Sequence, residues 1–412
     1  MTLEFDFREA LRILSEFPYL HDTRNTEFFS KNVPDRFPAE WSKFMLSFKE
    51  PSLTLFNEKS CDDPRMPEDL RQLIIRMAKC NITLPGEPQE MGRMVGVKEK
   101  KAYELMRTME LLKHIIPLYK ITRIVDVGCG LGHLLKFMSQ TYPDIEYVGV
   151  EMNPKMCQKA LHELSNVKFT CHQVMLNDET PKEVLQEIFD APNHTTLIVS
   201  LHGCGKLHPF LLRTFASIQS ESNPVMITLP CCYHKLSIRE ISVTDFAMSN
   251  KLKRLARHYT QKLHDSTIRL ASQPRLIREL DTPIKLHEDY FFHRGVHEMC
   301  RNDKVPIKKH YKLCDENYCE IVPALGVDLT VYDRVVQSKR PIRPLIEPFT
   351  ALQMRLSAVV ESLILKDRTT FMEENGCVTR LFPLFDARNS PRNMCMLTVK
   401  ESEWKENTTI PI

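Results

Sequence analysis

The segment IVDVGCGLGHLLKFM, residues 124–138, constrains this chain more than any other. An apolar run that stops at three closely spaced glycines and continues with helical spacing reads as a buried strand, a tight turn and a helix. That is how an open parallel sheet begins. Glycine is scarce elsewhere: of 12 in the chain, Gly128, Gly130, Gly132, Gly149, Gly203 and Gly205 fall between residues 128 and 205. Such clustering marks backbone that must turn sharply or lie against a ligand.

The pattern then alternates. The apolar runs IEYVGVE, VKFTCHQV, TTLIVSLHG and NPVMITLPCC follow RIVDVG, separated by helical segments. Short continuous apolar runs predict strands buried on both faces, five of them in parallel. Upstream, FDFREALRILSEFPYL and NVPDRFPAEWSKFML predict a helical N-terminal domain over residues 1–95, bounded by the Pro- and Gly-containing NITLPGEPQEMG. Next, VKEKKAYELMRTMELLKHIIPLYK places Ala102, Leu105, Met106, Met109 and Leu112 on one helical stripe leading into the first strand. The sheet domain should occupy residues 96–236, followed by a mostly helical insertion over 237–345. Residues 346–412 should supply a last, long amphipathic helix and a hairpin, CVTRLFPLFD and RNMCMLTVK joined by a tight ARNSP turn. The predicted fold class is α/β: a mostly parallel sheet with an antiparallel last strand, plus helical additions.

Composition excludes other classes. Hydrophobic residues at 42% and charged residues at 26% describe a globular chain, and 56 basic against 53 acidic residues leave only +3. No global polybasic character argues for DNA or a membrane surface. The start, MTLEFDFREALRILSEF, is acidic where a signal peptide needs basic residues, and no apolar run approaches the roughly 18 residues of a membrane helix. The expectation is a soluble intracellular protein, cytoplasmic or nuclear, whose 13 cysteines stay reduced. The sequence does not express an oligomeric state.

The ligand can be argued from the loop. Its spacing is G-x-G-x-G, not the G-x-G-x-x-G of dinucleotide folds, and Asp126 sits inside the strand end. A carboxylate there repels a pyrophosphate but attracts a sulfonium bearing an ammonium group, which points to S-adenosylmethionine. At the tip of the second strand, Glu151, followed by Met152, can accept both ribose hydroxyls of an adenosine. The cofactor set is therefore Asp126, Gly128, Gly130, Gly132, Glu151 and Met152.

These motifs, with LHGCGKLHPFLLR, ITLPCCYHKLS and RLFPLFDARNSPRNMCMLTVK, resemble the methyltransferase-like 25 family, also labelled as having a ribosomal RNA adenine dimethylase domain. The likeness extends to EFFSKN, FPAEWSKFM and VKEKKAYEL, almost the whole chain. It implies a class I methyltransferase fold that binds S-adenosylmethionine. Where relatives have K-K-x-H-E, this chain reads Lys100, Lys101, Ala102, Tyr103, Glu104, and Cys129 stands where they carry Ser or Gly. The adenine dimethylase label describes fold and not reaction. That chemistry uses N-[LIP]-P-[YF] after the fourth strand, where this chain has Ser200, Leu201, His202, Gly203, Cys204, Gly205. H-x-C-G paired with a later C-C-x-H is similar to tRNA 2′-O-methyltransferases, which implies an RNA hydroxyl as one target.

His202, Cys204, Cys231, Cys232, Tyr233 and His234 should converge at the carboxyl ends of strands four and five. His202 or Tyr233 could orient or deprotonate an acceptor, against the plainer alternative of a strand-end turn packed on the cofactor. Lys101, Cys204, Cys231, Arg388 and Arg392 are the candidate substrate contacts, the last two from the DARNSPRN turn, which should overhang the site. No metal is assigned, because adjacent Cys231 and Cys232 on a strand would point to opposite faces; Cys314 and Cys319 read as ordinary thiols. Between Lys251 and Arg275 seven basic residues face one acid, a run that could follow a phosphate backbone but reads more simply as a solvated helix face. The sequence reading is thus a methyltransferase acting on RNA or an RNA-associated protein. Its rival is a non-catalytic scaffold of the same fold, which Asp126, the glycines and Glu151 disfavour.

Overall fold

The structure, a computed structural model, describes residues 5–48, 56, 61–84, 86–88, 94, 96–218, 223–236, 240–259, 262–272, 284–301 and 312–405. Arg275, Pro85 and residues 89–92 of the predicted boundary lie outside them. Helices α1 (Phe7–Glu16), α2 (Ala39–Leu46) and α3 (Glu68–Lys79) come first. Helix α4 (Glu99–Tyr119) then opens the alternation β1 (Arg123–Val127), α5 (His133–Thr141), β2 (Glu146–Glu151), α6 (Pro154–Glu163), β3 (Phe169–Gln173). It continues through α7 (Lys182–Phe189), β4 (Thr196–Gly203), α8 (Leu207–Ser217) and β5 (Val225–Pro230). Short elements follow: β6 (Glu240–Ile241), α9 (Val243–Phe246), α10 (Asn250–Ala256), β7 (Leu263–His264) and α11 (Asp265–Leu270). Helices α12 (Ile284–Cys300), α13 (Tyr318–Ala324), α14 (Leu329–Lys339) and α15 (Ile346–Glu374) lead to β8 (Cys377–Pro383) and β9 (Met394–Lys400).

Two compact units emerge from this order. One takes residues 1–82, 239–241 and 261–363; the other takes 83–238, 242–260 and 364–412.

In the first, Asp6 caps α1 by accepting from the amides of Arg8 at 2.8 Å and Glu9 at 3.3 Å, and Phe7, Ala10, Leu11, Ile13 and Leu14 form its buried face. Arg76 of α3 ties back to Glu16 of α1 at 2.6 Å. Farther along, Arg343 donates to Glu288 at 2.6 Å, Asp315 at 2.7 Å and Asp289 at 3.2 Å, while His293 meets Asp315 at 2.9 Å and Tyr332 at 3.0 Å.

The second unit holds the sheet, in the order β3-β2-β1-β4-β5-β9-β8. All neighbours are parallel except at β9, which runs antiparallel to both β5 and β8. This is the mostly parallel α/β sheet with an antiparallel last strand that the sequence predicts. Strand β8 consequently points with the first five, so the loop after it lies at their carboxyl edge. Strands β1, β4 and β5 are buried almost throughout, as their apolar runs require.

Four expectations change. Strand β3 is an edge strand whose residues are partly or fully exposed, because nothing pairs with its outer side. On α4, Met106 and Met109 are only half-buried, and the inward face turns through Tyr103, Glu104, Thr108 and Leu111 instead. Helix α15 is not amphipathic: it is buried around nearly all of its circumference, the pattern of a central helix. Its buried polar groups are matched, with Asp367 accepting from the amides of Met248 and Ser249, both at 2.9 Å, and Gln353 donating to the Leu20 carbonyl at 3.0 Å. Finally, β8 and β9 are joined by residues 384–393 and not by a tight turn. That connection is organised by Asp386, whose carbonyl accepts from Asn389 at 3.0 Å and Ser390 at 2.9 Å. Among the described residues no helix is long and apolar enough to cross a membrane.

Candidate functional site

Parallel strands end together, and the predicted ligand residues gather at that edge. Gly128 and Gly130 have φ of +82° and +58°, values open to few side chains, and a Cβ built on either meets nothing within 4 Å. The loop is therefore shaped by backbone conformation, with space over it that a ligand could take. Gly132, also at positive φ, is the residue just before α5.

Beneath the loop Asp126 is 5% exposed, and among the described residues no donor lies within hydrogen-bonding distance of its carboxylate. Burial raises its pKa to about 6; the charges of Lys101 and His202 pull the other way, and Glu151 adds to the rise. Glu151, at the tip of β2, accepts from the amide of Gly130 at 3.1 Å and from that of Asn153 at 2.8 Å. Each of its oxygens keeps a further lone pair for a ligand. Met152 is 64% exposed beside it, and Met175, past the neighbouring tip of β3, is 61% exposed. Sequence reasoning passed over Met175, because a lone methionine after an edge strand carries no periodic signal.

It also missed Glu104. This α4 residue is buried, and its carboxylate meets the His202 Nε2 at 3.5 Å, accepts from the Ser390 hydroxyl at 2.9 Å, and lies 3.7 Å from the Lys100 ammonium. Burial pushes its pKa up, but His202, Ser390 and Lys100 outweigh that and hold it below the ordinary carboxylate value. One residue earlier, the Tyr103 hydroxyl accepts from the Asp386 amide at 2.7 Å. Helix α4 thus joins the β4 tip to the β8–β9 connection. His202 is itself half-exposed, whereas Tyr233 is buried, which separates the two catalytic candidates.

Strands β4 and β5 bring three thiols together. The sulfurs of Cys204 and Cys231 are 3.1 Å apart and those of Cys231 and Cys232 are 3.6 Å apart. The expected divergence of Cys231 from Cys232 fails because β5 ends at Pro230, so neither residue obeys strand alternation. The Arg392 guanidinium is desolvated, which lowers its pKa, and it feels the charges of Tyr233, Cys231 and Cys232. It therefore lies among the site residues. Arg388 does not join them through its charge, since Asp386 holds its guanidinium at 3.0 Å.

A cavity of about 790 Å³ opens beside the glycine loop, lined by Leu131 and His133 from the loop side and by Lys136, Lys155, Lys159 and His162 from α5 and α6. Its acid, Glu163, is paired with Lys136 at 2.6 Å, so the free charge of the walls is positive. Of the basic run, Lys251, Lys253, Arg254 and Arg257 are exposed around α10 while Leu252 and Ala256 face inward.

Residues 98–239 match the family model described as a methyltransferase domain. The chain is 27% identical over 245 residues to a Mus musculus protein described as probable methyltransferase-like protein 25, covering 54% of this chain and 40% of that one. The Homo sapiens protein of the same description is 24% identical over 268 residues, covering 58% and 42%. The chain thus spans less than half the length of these relatives. A solved plantazolicin methyltransferase in complex with SAH is 12% identical, with 60% of this chain and 77% of that one covered and a TM-score of 0.25. The chain carries a methyltransferase domain and is distantly homologous to methyltransferase-like protein 25 over a little more than half its length.

Proposed function

We propose that this chain transfers a methyl group from S-adenosylmethionine to RNA. The observation that carries the cofactor half is Asp126, a buried carboxylate lacking a donor, under a loop whose glycines leave open space. A cationic ligand supplies what this carboxylate lacks. Glu151 would take the ribose hydroxyls, and exposed Met152 and Met175, at neighbouring strand tips, would offer apolar faces to the adenine.

Bound there, S-adenosylmethionine supplies an electrophilic methyl group; the protein must place an acceptor and remove its proton. When the Glu104 carboxylate accepts from His202 Nε2–H, the imidazole Nδ1 is left with a free lone pair pointing away from the carboxylate. That nitrogen acts as the base toward a hydroxyl or amine at the β4 tip. Tyr233, being buried, has a packing role. The acceptor is read as RNA from the positive charge that Lys155 and Lys159 bring to the cavity beside the loop, which suits a phosphate backbone.

The test is methyl transfer from radiolabelled S-adenosylmethionine into fractionated RNA and protein of cells lacking the chain. Ribonuclease-sensitive label is expected, and label confined to protein would overturn the RNA assignment. His202→Gln should retain cofactor binding by calorimetry and lose most transfer; unchanged transfer would remove His202 as base.

A further inference from the structure

The thiols of Cys204, Cys231 and Cys232 all lie within 4.8 Å of one another, which is close enough to share one ion. How the chain brings them there is specific. After Pro230 the backbone leaves the strand and winds into a single turn at Tyr233–Leu236, with the Tyr233 amide donating to the Cys231 carbonyl at 3.1 Å and the Lys235 amide to the Cys232 carbonyl at 3.0 Å. Successive side chains then fall on one side. From β4, Cys204 closes a tight turn, its amide donating to the His202 carbonyl at 2.7 Å. Gly205 has φ of +56°, and a Cβ there would stand 2.6 Å from the Lys235 Cβ and 3.0 Å from its carbonyl oxygen. Only glycine lets the two cysteine loops approach so closely.

We propose that Cys204, Cys231 and Cys232 bind one divalent ion of the zinc class. At a zinc–sulfur distance of about 2.3 Å, tetrahedral sulfurs sit roughly 3.8 Å apart, so this cluster needs only small shifts to accept the ion. Three neutral thiols in mutual contact gain little from one another, because S–H is a weak donor and sulfur a weak acceptor. As thiolates around a divalent ion they carry a net charge of −1. The groups facing them suit that charge: Arg392 from the β8–β9 connection, Lys235 from the turn after β5, and His202 from β4. A second cluster shows the contrast. Asp289, His293 and Asp315 also lie within ligating distance of one another, but the Arg343 guanidinium already bonds to both carboxylates.

Three protein donors leave the fourth tetrahedral position for water or for an incoming nucleophile, the arrangement of catalytic and not of structural zinc. Only that last role rests on the methyl-transfer reading; ion binding stands apart from it.

The test uses the full chain under reducing conditions, without S-adenosylmethionine, and titrates it with Co2+ alone as an optical probe. Thiolate-to-cobalt charge-transfer bands with intense tetrahedral ligand-field absorption are expected at one equivalent per chain, competed away by Zn2+. Cys204→Ser and Cys231→Ser should each weaken uptake about tenfold or more, whereas Cys314→Ser should leave it unchanged. Should either serine variant misfold, Cys232→Ala keeps two thiolates and is expected to show the same weakening with an unaltered circular dichroism spectrum. Absence of thiolate–cobalt bands in the wild-type chain, equal uptake by all variants, or a Cys204–Cys231 disulfide in freshly purified protein would overturn the assignment. Failure of methyl transfer with intact Co2+ uptake would instead remove the methyltransferase reading and leave the ion site standing.

Discussion

Arg343, partly buried, and Asp126, buried, are ionisable groups in different units, and they are treated in opposite ways. Around Arg343 the charges have protein counterparts: three carboxylates take the guanidinium, and His293 packs against the rings of Tyr318 and Tyr332 while bonding to Asp315. Asp126 is the more enclosed yet has no donor among the described residues, and burial drives its pKa to about 6. A network that is complete within the chain holds a fold together. A carboxylate kept expensively without a partner is better explained by a ligand that completes it.

The comparison can be broken most forcefully at Arg343. Removing it as Arg343→Met leaves Glu288, Asp289 and Asp315 crowded without their cation, and a loss of about 3 to 5 kcal/mol in urea unfolding is expected. A loss below about 1 kcal/mol would show that the network is incidental.

Asp126→Asn should do the reverse. A folded pKa raised above the unfolded value gives a contribution that is fully present below about pH 4 and lost as pH rises through about 6. At neutral pH the ionised carboxylate is therefore a cost of about 3 kcal/mol, and the ligand-free variant should melt higher than wild type. Its affinity for S-adenosylmethionine should fall about a hundredfold, since the neutral amide cannot match a cation. A variant that is less stable and binds normally would erase the distinction between the two regions.

Glu151→Ala removes two accepted amides as well as the proposed ribose contact, and should cost about 1.5 to 3 kcal/mol of cofactor binding in calorimetry. Glu151→Gln, retaining one acceptor, should recover part of it; equal loss in both would mean charge, not hydrogen bonding, is what the site uses.

Lowering the pH is gentler still. Lys101, His202 and Glu151 are the charged neighbours of Asp126, and with its pKa at about 6 only about a tenth is ionised at pH 5. Cofactor affinity should drop about tenfold between pH 7 and pH 5 in wild type and stay flatter in Asp126→Asn. The smallest effect belongs to Arg388→Ala, whose exposed guanidinium pairs with Asp386 where water screens it, so the thermal unfolding midpoint should hardly move.

What the sequence made legible was whatever lies close together in it. The strand, the three glycines and the acid at the next strand tip are local, so β1, β2 and their loop follow from spacing alone. Glu104 was hidden because its partners are His202 and Ser390, brought near only by the fold, and a lone acid in KKAYEL has the look of a solvated helix residue. The thiol cluster was misread for a smaller reason: the apolar run NPVMITLPCC gives no sign that the strand stops at Pro230. Strand β3 was misread otherwise: VKFTCHQV interleaves Lys168, Thr170, His172 and Gln173 with its apolar residues, the alternation of a half-exposed strand, while its place at the edge is a matter of topology. Helix α15 hid its central position because its Asp367 and Arg368 suggest an exposed face, although both are buried and bonded.

Strand order also has a consequence for how the chain is made. Strand β5 ends at Pro230, but its outer neighbour β9 begins only at Met394. As the polypeptide leaves the ribosome, the hydrogen-bonding edge of β5 must wait, unpaired, through the synthesis of all the helices between. An apolar edge exposed for that long is a template for joining the wrong strand, its own or another chain's. A nascent chain of this kind depends on being shielded until its last hairpin arrives, and a stop codon placed just before β9 would yield a product that aggregates and not merely one that lacks activity.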